Sequence, residues 1–533
     1  MPRPVNVVVI LIAMQAARAW ADATADEPAF EGKPLTLWVH ALGDADVEVR
    51  LRAASAMGQM DLRARSAAPD LAKLLTDPDV RVRRTAAASL GSMGAAARAA
   101  APLLAAALGD PDRQVRLNCA TALGDIGPDA STADAALGKL LSSEDEEIAS
   151  TAATALGEIK IGAAEPLVAV LHQGAVKNRI RAVQALGEIG PSAVAALPEL
   201  QTAFADSSDE LRSQAAQTIG AIGPPASAAV PQLILVIDDN HPSAAAAADA
   251  LGQIGPTAAA AALPKLRAAT ASPDAALRVA AAGAIWLIAN DTDHAVPVLL
   301  AAADDRDPEV RIAVAHDLGM IGPKQTGVLG ALIGAVSDPQ PQVRATAIES
   351  LGQIGPPAAP AVAQLTQVLD DRAPQMRLLA ARALWRIDHQ VNEVVVVLHD
   401  LLSDPDWTVR DGAARIAGEI GPPALRLEPA LQVAMVDGET FVRVDAAWAY
   451  WRVGGETDTV LRVLIAAATD QATRDIEARQ TAISALGQMG AAARPAMSAL
   501  HPLLDDDFPM VRSAAAQALA RISRSLGPQA DHP

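Results

Sequence analysis

The chain has 533 residues, with 43 Lys and Arg against 62 Asp and Glu and a formal net charge of −19. Apolar residues make up 51% but aromatics only 2%, so a core must be filled by Ala, Leu, Val and Ile in small repeated contacts. The acidic balance argues against a general nucleic-acid binder, and the single cysteine, Cys119, excludes an internal disulfide, a CxxC redox pair and a cysteine zinc cluster.

Met1-Pro2-Arg3 gives a weakly positive start, followed by the apolar run Val5 to Met14 and then Ala19-Trp20-Ala21. This order reads as a secretory signal peptide over residues 1–21, cut after Ala21. The run is about half of the ~20 residues that span a bilayer, which disfavours the alternative of a retained anchor. No later stretch approaches that length, so no stable membrane insertion is expected after cleavage. The mature chain, opening with a short linker at 22–29, is expected to be periplasmic or secreted.

From residue 30 to 525 one phrase keeps returning: DPDVRVRRTAAASLGSMG at 77–94, DPDRQVRLNCATALGDIG at 110–127, DPQPQVRATAIESLGQIG at 338–355. Anchored on the residue before the Gly of Leu-Gly, the copies number fifteen, from Met57 and Leu90 to Leu486 and Leu519, mostly 33 residues apart. A step of 30 precedes Leu186 and one of 36 precedes Leu486.

Each copy decodes into two helices. In the second, Val82, Ala86, Leu90 and Met93 form one apolar stripe, beside small residues such as Ala87 and Gly91 that let backbones approach. The helix stops at Gly-Pro, as in Gly127-Pro128 and Gly421-Pro422. A shorter first helix precedes it and ends at an Asp-Pro turn, where Asp79, Asp112 and Asp406 are placed to cap the second helix. No strands are evident. Residues 526–533 read as a disordered tail.

Two polar positions recur inside this frame. Thirteen residues before the anchor stands Asp, as at Asp77, Asp110, Asp338, Asp404 and Asp506. Seven before it stands Arg, as at Arg83, Arg116, Arg344, Arg410 and Arg479, and Lys never replaces it. A guanidinium fork can bond a carboxylate and turn carbonyls together, so these residues are expected to form a structural ladder between stacked turns.

The Asp-Pro turn, the Val-Arg pair opening the second helix and the Ala-x-x-Ala-Leu-Gly-x-Ile-Gly body resemble the HEAT repeat, in its short form known as the PBS-lyase HEAT-like repeat of the ARM/HEAT superfamily. The resemblance implies an all-α fold, a right-handed α-α superhelical solenoid of about fifteen helix pairs whose second helices line the concave side. Each pair alone cannot bury its apolar face and must stack on its neighbours.

Chemistry is sparse. None of the nine histidines has the i, i+4 spacing of a helical metal site, and there is no HExxH, Walker or GxSxG motif. Deoxyhypusine hydroxylase, which carries this repeat type, uses His-Glu pairs for iron; here the nearest are His316-Asp317 and His399-Asp400. The bilin lyases that name the repeat act on tetrapyrroles. Neither activity is matched, and no catalytic residue, metal or cofactor is expected.

Variation between copies is the remaining signal. Trp385, Trp407, Phe441, Trp448, Tyr450 and Trp451 hold half of all the aromatics. Off the core stripe, successive second helices project His316, then Glu349 with Gln353, Arg382 with Arg386, Arg415 with Glu419, and Trp448 with Arg452. With Trp385 and Trp451 these are the candidate partner-binding groove, locally basic on an acidic molecule. The alternative is that the Trp side chains fill gaps between imperfect repeats and the charges form a solvated face.

Two further irregularities stand out. Ser143, Gln173 and Ala149 break the ladder beside the acidic run Glu144 to Glu147, by repeat decay or a local bend in the first reading, or as a cation or partner site in the second. The longer copy at 454–477 reads as an exposed loop. The sequence as a whole reads as an exported, non-catalytic scaffold that binds a protein or peptide on its concave face. A tetrapyrrole-lyase-like or metal-dependent hydroxylase-like protein is the second reading and a structural spacer the third.

Overall fold

A computed structural model describes residues 28–160, 164–238, 243–389, 391–470, 476–506 and 508–526. The leader at 1–21, most of the 22–29 linker and the tail beyond Leu526 lie outside them. The described residues form an all-α solenoid in two compact units, 28–196 and 197–526.

Every anchor residue of the repeat falls on a helix. In the first unit these run from Val47–Met60, Val80–Ser92 and Arg113–Ile126 to Glu146–Ile159 and Val176–Ile189. Asp79 caps its helix by accepting from the Arg81 backbone N–H at 2.8 Å, Asp112 from Val115 at 3.0 Å and Asp406 from Thr408 at 2.9 Å. At the far end Gly127 and Gly421 both adopt φ 71°, a backbone that a side chain would strain.

The Gly-Pro stop is followed by more structure than the sequence suggested. Short 3₁₀ segments such as Gly127–Ala133, Pro224–Ala229, Pro356–Ala361 and Pro422–Leu427 carry the chain directly into the next first helix. Proline supplies their fixed φ, and the lack of its N–H is no loss at a helix start.

The small-residue stripe works by contact between consecutive second helices. A Cβ on Gly124 would lie 3.2 Å from the Ala155 Cα, and one on Gly352 3.1 Å from the Ala383 Cα. This backbone approach offsets the ~1 kcal/mol that glycine costs in a helix.

The ladder forms between turns. Arg83 donates from Nε and Nη2 to the Asp110 carboxylate at 2.7 and 3.1 Å, and from Nη1 to the Asp77 carbonyl at 3.0 Å. Arg50–Asp77, Arg311–Asp338, Arg410–Asp437 and Arg479–Asp506 repeat the carboxylate contact. Arg344 keeps only the turn, donating to the carbonyls of Asp338 and Pro339. Arg116 does the same with Asp110 and Pro111, since the next ladder position is Ser143. Asp404 accepts from the Asp406 N–H at 2.9 Å, and its carbonyl takes Arg410.

Two local expectations are corrected, one of them in part. Ala29–Phe30 and Lys33–Pro34 form a two-residue antiparallel pair where no strand was foreseen. It brings Phe30 onto Trp38, whose indole N–H donates to the Phe30 carbonyl at 3.2 Å, capping the first repeat. The longer copy opens with a turn at Gly454 to Glu456, in line with a loop, but continues as a longer first helix, Thr457–Thr469, burying Val460, Leu461 and Leu464, while residues 471–475 lie outside the described residues. The acidic run is answered within the fold: Asp145 and Glu147 pair with Arg113, and Glu146 with Lys177 and Arg181.

Candidate functional site

The candidate groove residues lie in the second unit, on the helices Pro308–Ile321, Pro341–Ile354, Pro374–Asp388, Trp407–Ile420 and Thr440–Val453. Five of them, two residues before their anchors, form one row because equivalent positions superpose from repeat to repeat: His316, Glu349, Arg382, Arg415 and Trp448. Extending the row backwards reaches Asp249 on the helix Ala244–Ile254, which sequence reading left out although the same alignment contains it.

The row divides into two environments. At one end Asp249, Asp317, His316 and Glu349 line a hollow of about 660 Å³ with apolar walls that include Val279 and Leu287. Asp249 keeps accessible surface toward the hollow, yet the surrounding protein displaces bulk water. Its carboxyl is pushed up to about 7, first by desolvation and then by the Asp317 charge. His316 Nδ1 sits 3.2 Å from Asp317 Oδ1, and that contact raises the imidazole pKa. Gln353 is exposed on the same helix face.

At the other end the charges answer one another. Arg382 donates to Glu419 at 2.7 Å, and Arg386 reaches the same carboxylate at 3.5 Å. Arg415 lies 3.7 Å from Asp445 and 3.9 Å from Asp411. The basic character read from the sequence is thus partly neutralised by Glu419, which the row already contained, and by Asp411 and Asp445, which it did not. Asp411 and Asp445 are 9% and 8% exposed, both face Arg415, and both carboxyls are pushed up, mainly by desolvation. Their spacing from the anchors marks nothing special; only the stacking of the two helices brings them together.

The aromatic residues have separate roles. Trp448 and Trp451 pack with ring centroids 5.2 Å apart, and the Arg452 guanidinium lies 5.7 Å from the Trp448 ring, a cation–π arrangement. Trp448 and Arg452 border a hollow of about 450 Å³ that also meets Arg415, Glu419 and Asp445. Trp385 instead turns edge-on to His389 at 4.8 Å, and Trp407 stacks on Phe441 at 6.1 Å. Trp385 is half-buried and Trp407 is 40% exposed, while Trp448 and Arg452 border open space.

A family model described as HEAT repeats matches residues 35–110, 100–173, 164–252, 263–334, 296–364, 362–450 and 461–530. The chain is a HEAT-repeat protein. Among solved structures this HEAT-repeat chain is similar to yeast importin-beta, Kap95p, at 15% identity and a TM-score of 0.57, covering 92% of this chain and 78% of that one. It is also similar to a mutant of Kap121p, at 12% identity and a TM-score of 0.54, covering 93% and 67%. At these identities the likeness is one of fold. No curated protein matches the chain.

Among the described residues no group of three or more His, Cys, Asp and Glu is placed to hold a metal ion. No described helix is long and apolar enough to cross a membrane. Cys119 is buried on the helix Arg113–Ile126, and desolvation pushes its thiol up to about 12, which leaves it a packing residue and not a nucleophile.

Proposed function

We propose that this HEAT-repeat protein is an exported, non-catalytic scaffold that binds a protein or peptide along the second-helix face of its second unit. The observation that carries the reading is the Trp448–Trp451–Arg452 corner. It presents a half-buried indole and an exposed guanidinium beside a hollow, the residue types that dominate protein-binding hot spots. Stacked repeats suit this role because variable side chains on consistent backbones make an extended surface. The leader sequence supports export.

Cross-linked capture from the envelope fraction of the source cells tests the reading. The wild-type chain is expected to capture a defined protein, and Trp448→Ala and Arg382→Ala are each expected to weaken capture with unchanged helicity by circular dichroism. Equal capture by both variants removes this surface from consideration, and a chain found only in the cytoplasm removes export.

A further inference from the structure

The hollow beside Trp448 has a chemistry that narrows the partner. It lies between the helices Trp407–Ile420, Thr440–Val453 and Ile476–Met489. Arg452 is exposed and, among the described residues, forms no ion pair. The Arg415 side chain is 63% exposed, and its approach to Asp411 and Asp445 is too long for hydrogen bonds, so its donors remain open to a ligand. The facing helix offers uncharged hydrogen-bonding groups from Gln480, Thr481 and Ser484.

Charge on this face favours an anion despite the acidic whole. Four guanidinium groups, of Arg382, Arg386, Arg415 and Arg452, meet Glu419 and the Asp411–Asp445 pair. Two carboxyls buried beside the same Arg415 favour retaining one proton, because burial disfavours the charged form, and the pair then carries a single negative charge. Two positive charges are then left over, and one when the pair loses its proton.

We infer that this hollow receives an acidic segment of the protein partner, and that its capture is coupled to proton uptake by the Asp411–Asp445 pair. The inference rests on the proposed function and specifies the partner for the same surface. Asp411 Oδ1 is buried without a hydrogen-bond partner, and the charged group facing both carboxyls is Arg415. Arg382 and Arg386, on the preceding second helix, are turned to Glu419, and the residues of Ile476–Met489 that line the hollow are uncharged. When the pair loses its proton, its second negative charge competes with the ligand for Arg415. When it regains the proton, Arg415 is released toward the hollow.

The test is fluorescence anisotropy with the full chain and a rhodamine-labelled peptide of alternating Glu and Leu, at low salt. A matched Lys/Leu peptide is run beside it. The acidic peptide is expected to bind about tenfold more tightly at pH 5.5 than at pH 8, the effect of about one charge at short range near a protein surface. The basic peptide is expected not to bind. Arg452→Gln should lose binding at both pH values. Asp445→Asn, and Asp411→Asn as a second variant, should bind at pH 8 as tightly as wild type does at pH 5.5.

Equal binding of the basic peptide, a flat pH response of wild type, or an unchanged response in both Asn variants overturns the inference. Failure of the acidic peptide to bind, with Trp448-dependent envelope capture intact, overturns it alone and leaves the proposed function standing. Loss of that capture as well overturns both.

Discussion

Arg479 donates from Nη2 to Asp506 Oδ2 at 2.6 Å, and the two side chains are 1% and 2% exposed. This is the most buried rung of the ladder among the described residues, fixing the first turn of Ile476–Met489 to Asp506, ahead of Pro509–Leu526. Its Nε also donates to the Ala468 carbonyl at 3.2 Å, so one guanidinium joins three segments.

Removing one partner leaves the other charged and dry. Arg479→Ala is therefore expected to destabilise the chain by about 3–5 kcal/mol. Arg81→Ala, which breaks an exposed contact with Glu48, is expected to leave the urea midpoint unchanged. Urea unfolding followed by circular dichroism makes the comparison, and equal effects would contradict a structural ladder.

Glycine substitutions should split by location. A Cβ on Gly487 would stand 2.8 Å from the Ala518 Cα, so Gly487→Ala must push two helices apart at a cost of about 1–3 kcal/mol. Gly330 lies on the exposed side of Val328–Ala335 with nothing within 4 Å, and Gly330→Ala should stabilise by up to about 1 kcal/mol. Thermal unfolding of the two variants reads opposite signs.

Asp249 makes stability depend on pH. Its folded pKa, about 7, lies above the ordinary carboxyl value, so the fold prefers the protonated group. The stability this contributes is full below the unfolded pKa of about 4 and is lost as pH rises through 7. Asp249→Asn should accordingly raise stability little at pH 4 and by about 1 kcal/mol at pH 8, a modest gain because the hollow admits water. Melting curves at the two pH values check it, and a gain confined to pH 4 would reverse the assignment.

Much of the fold was legible because the repeat states it many times. Val82, Ala86 and Leu90 set the helix face, Gly127-Pro128 its end and Asp112 its start, and each acts through contacts within its own turn or the next. The Arg83–Asp110 rung was readable for the same reason: a fixed spacing between identical turns becomes a fixed distance once they stack.

The candidate site was legible only as a row. Spacing placed Arg382, Arg415 and Trp448 on one face, but not that Arg382 would be held by Glu419 or Trp385 turned to His389. The strand pair that brings Phe30 to Trp38 was not legible either, because each of its strands is only two residues long.

The sequence by itself determined the repeat, the ladder, the caps and the absence of any familiar catalytic motif, since all of these are set by periodicity and local chemistry. Only the tertiary structure decided which charges are free. The pairing of Asp411 with Asp445, the desolvation of Asp249 and the opening beside Trp448 arise where adjacent helices meet. Solvation and Coulomb energies depend on those through-space distances, which one chain's residue spacing does not encode.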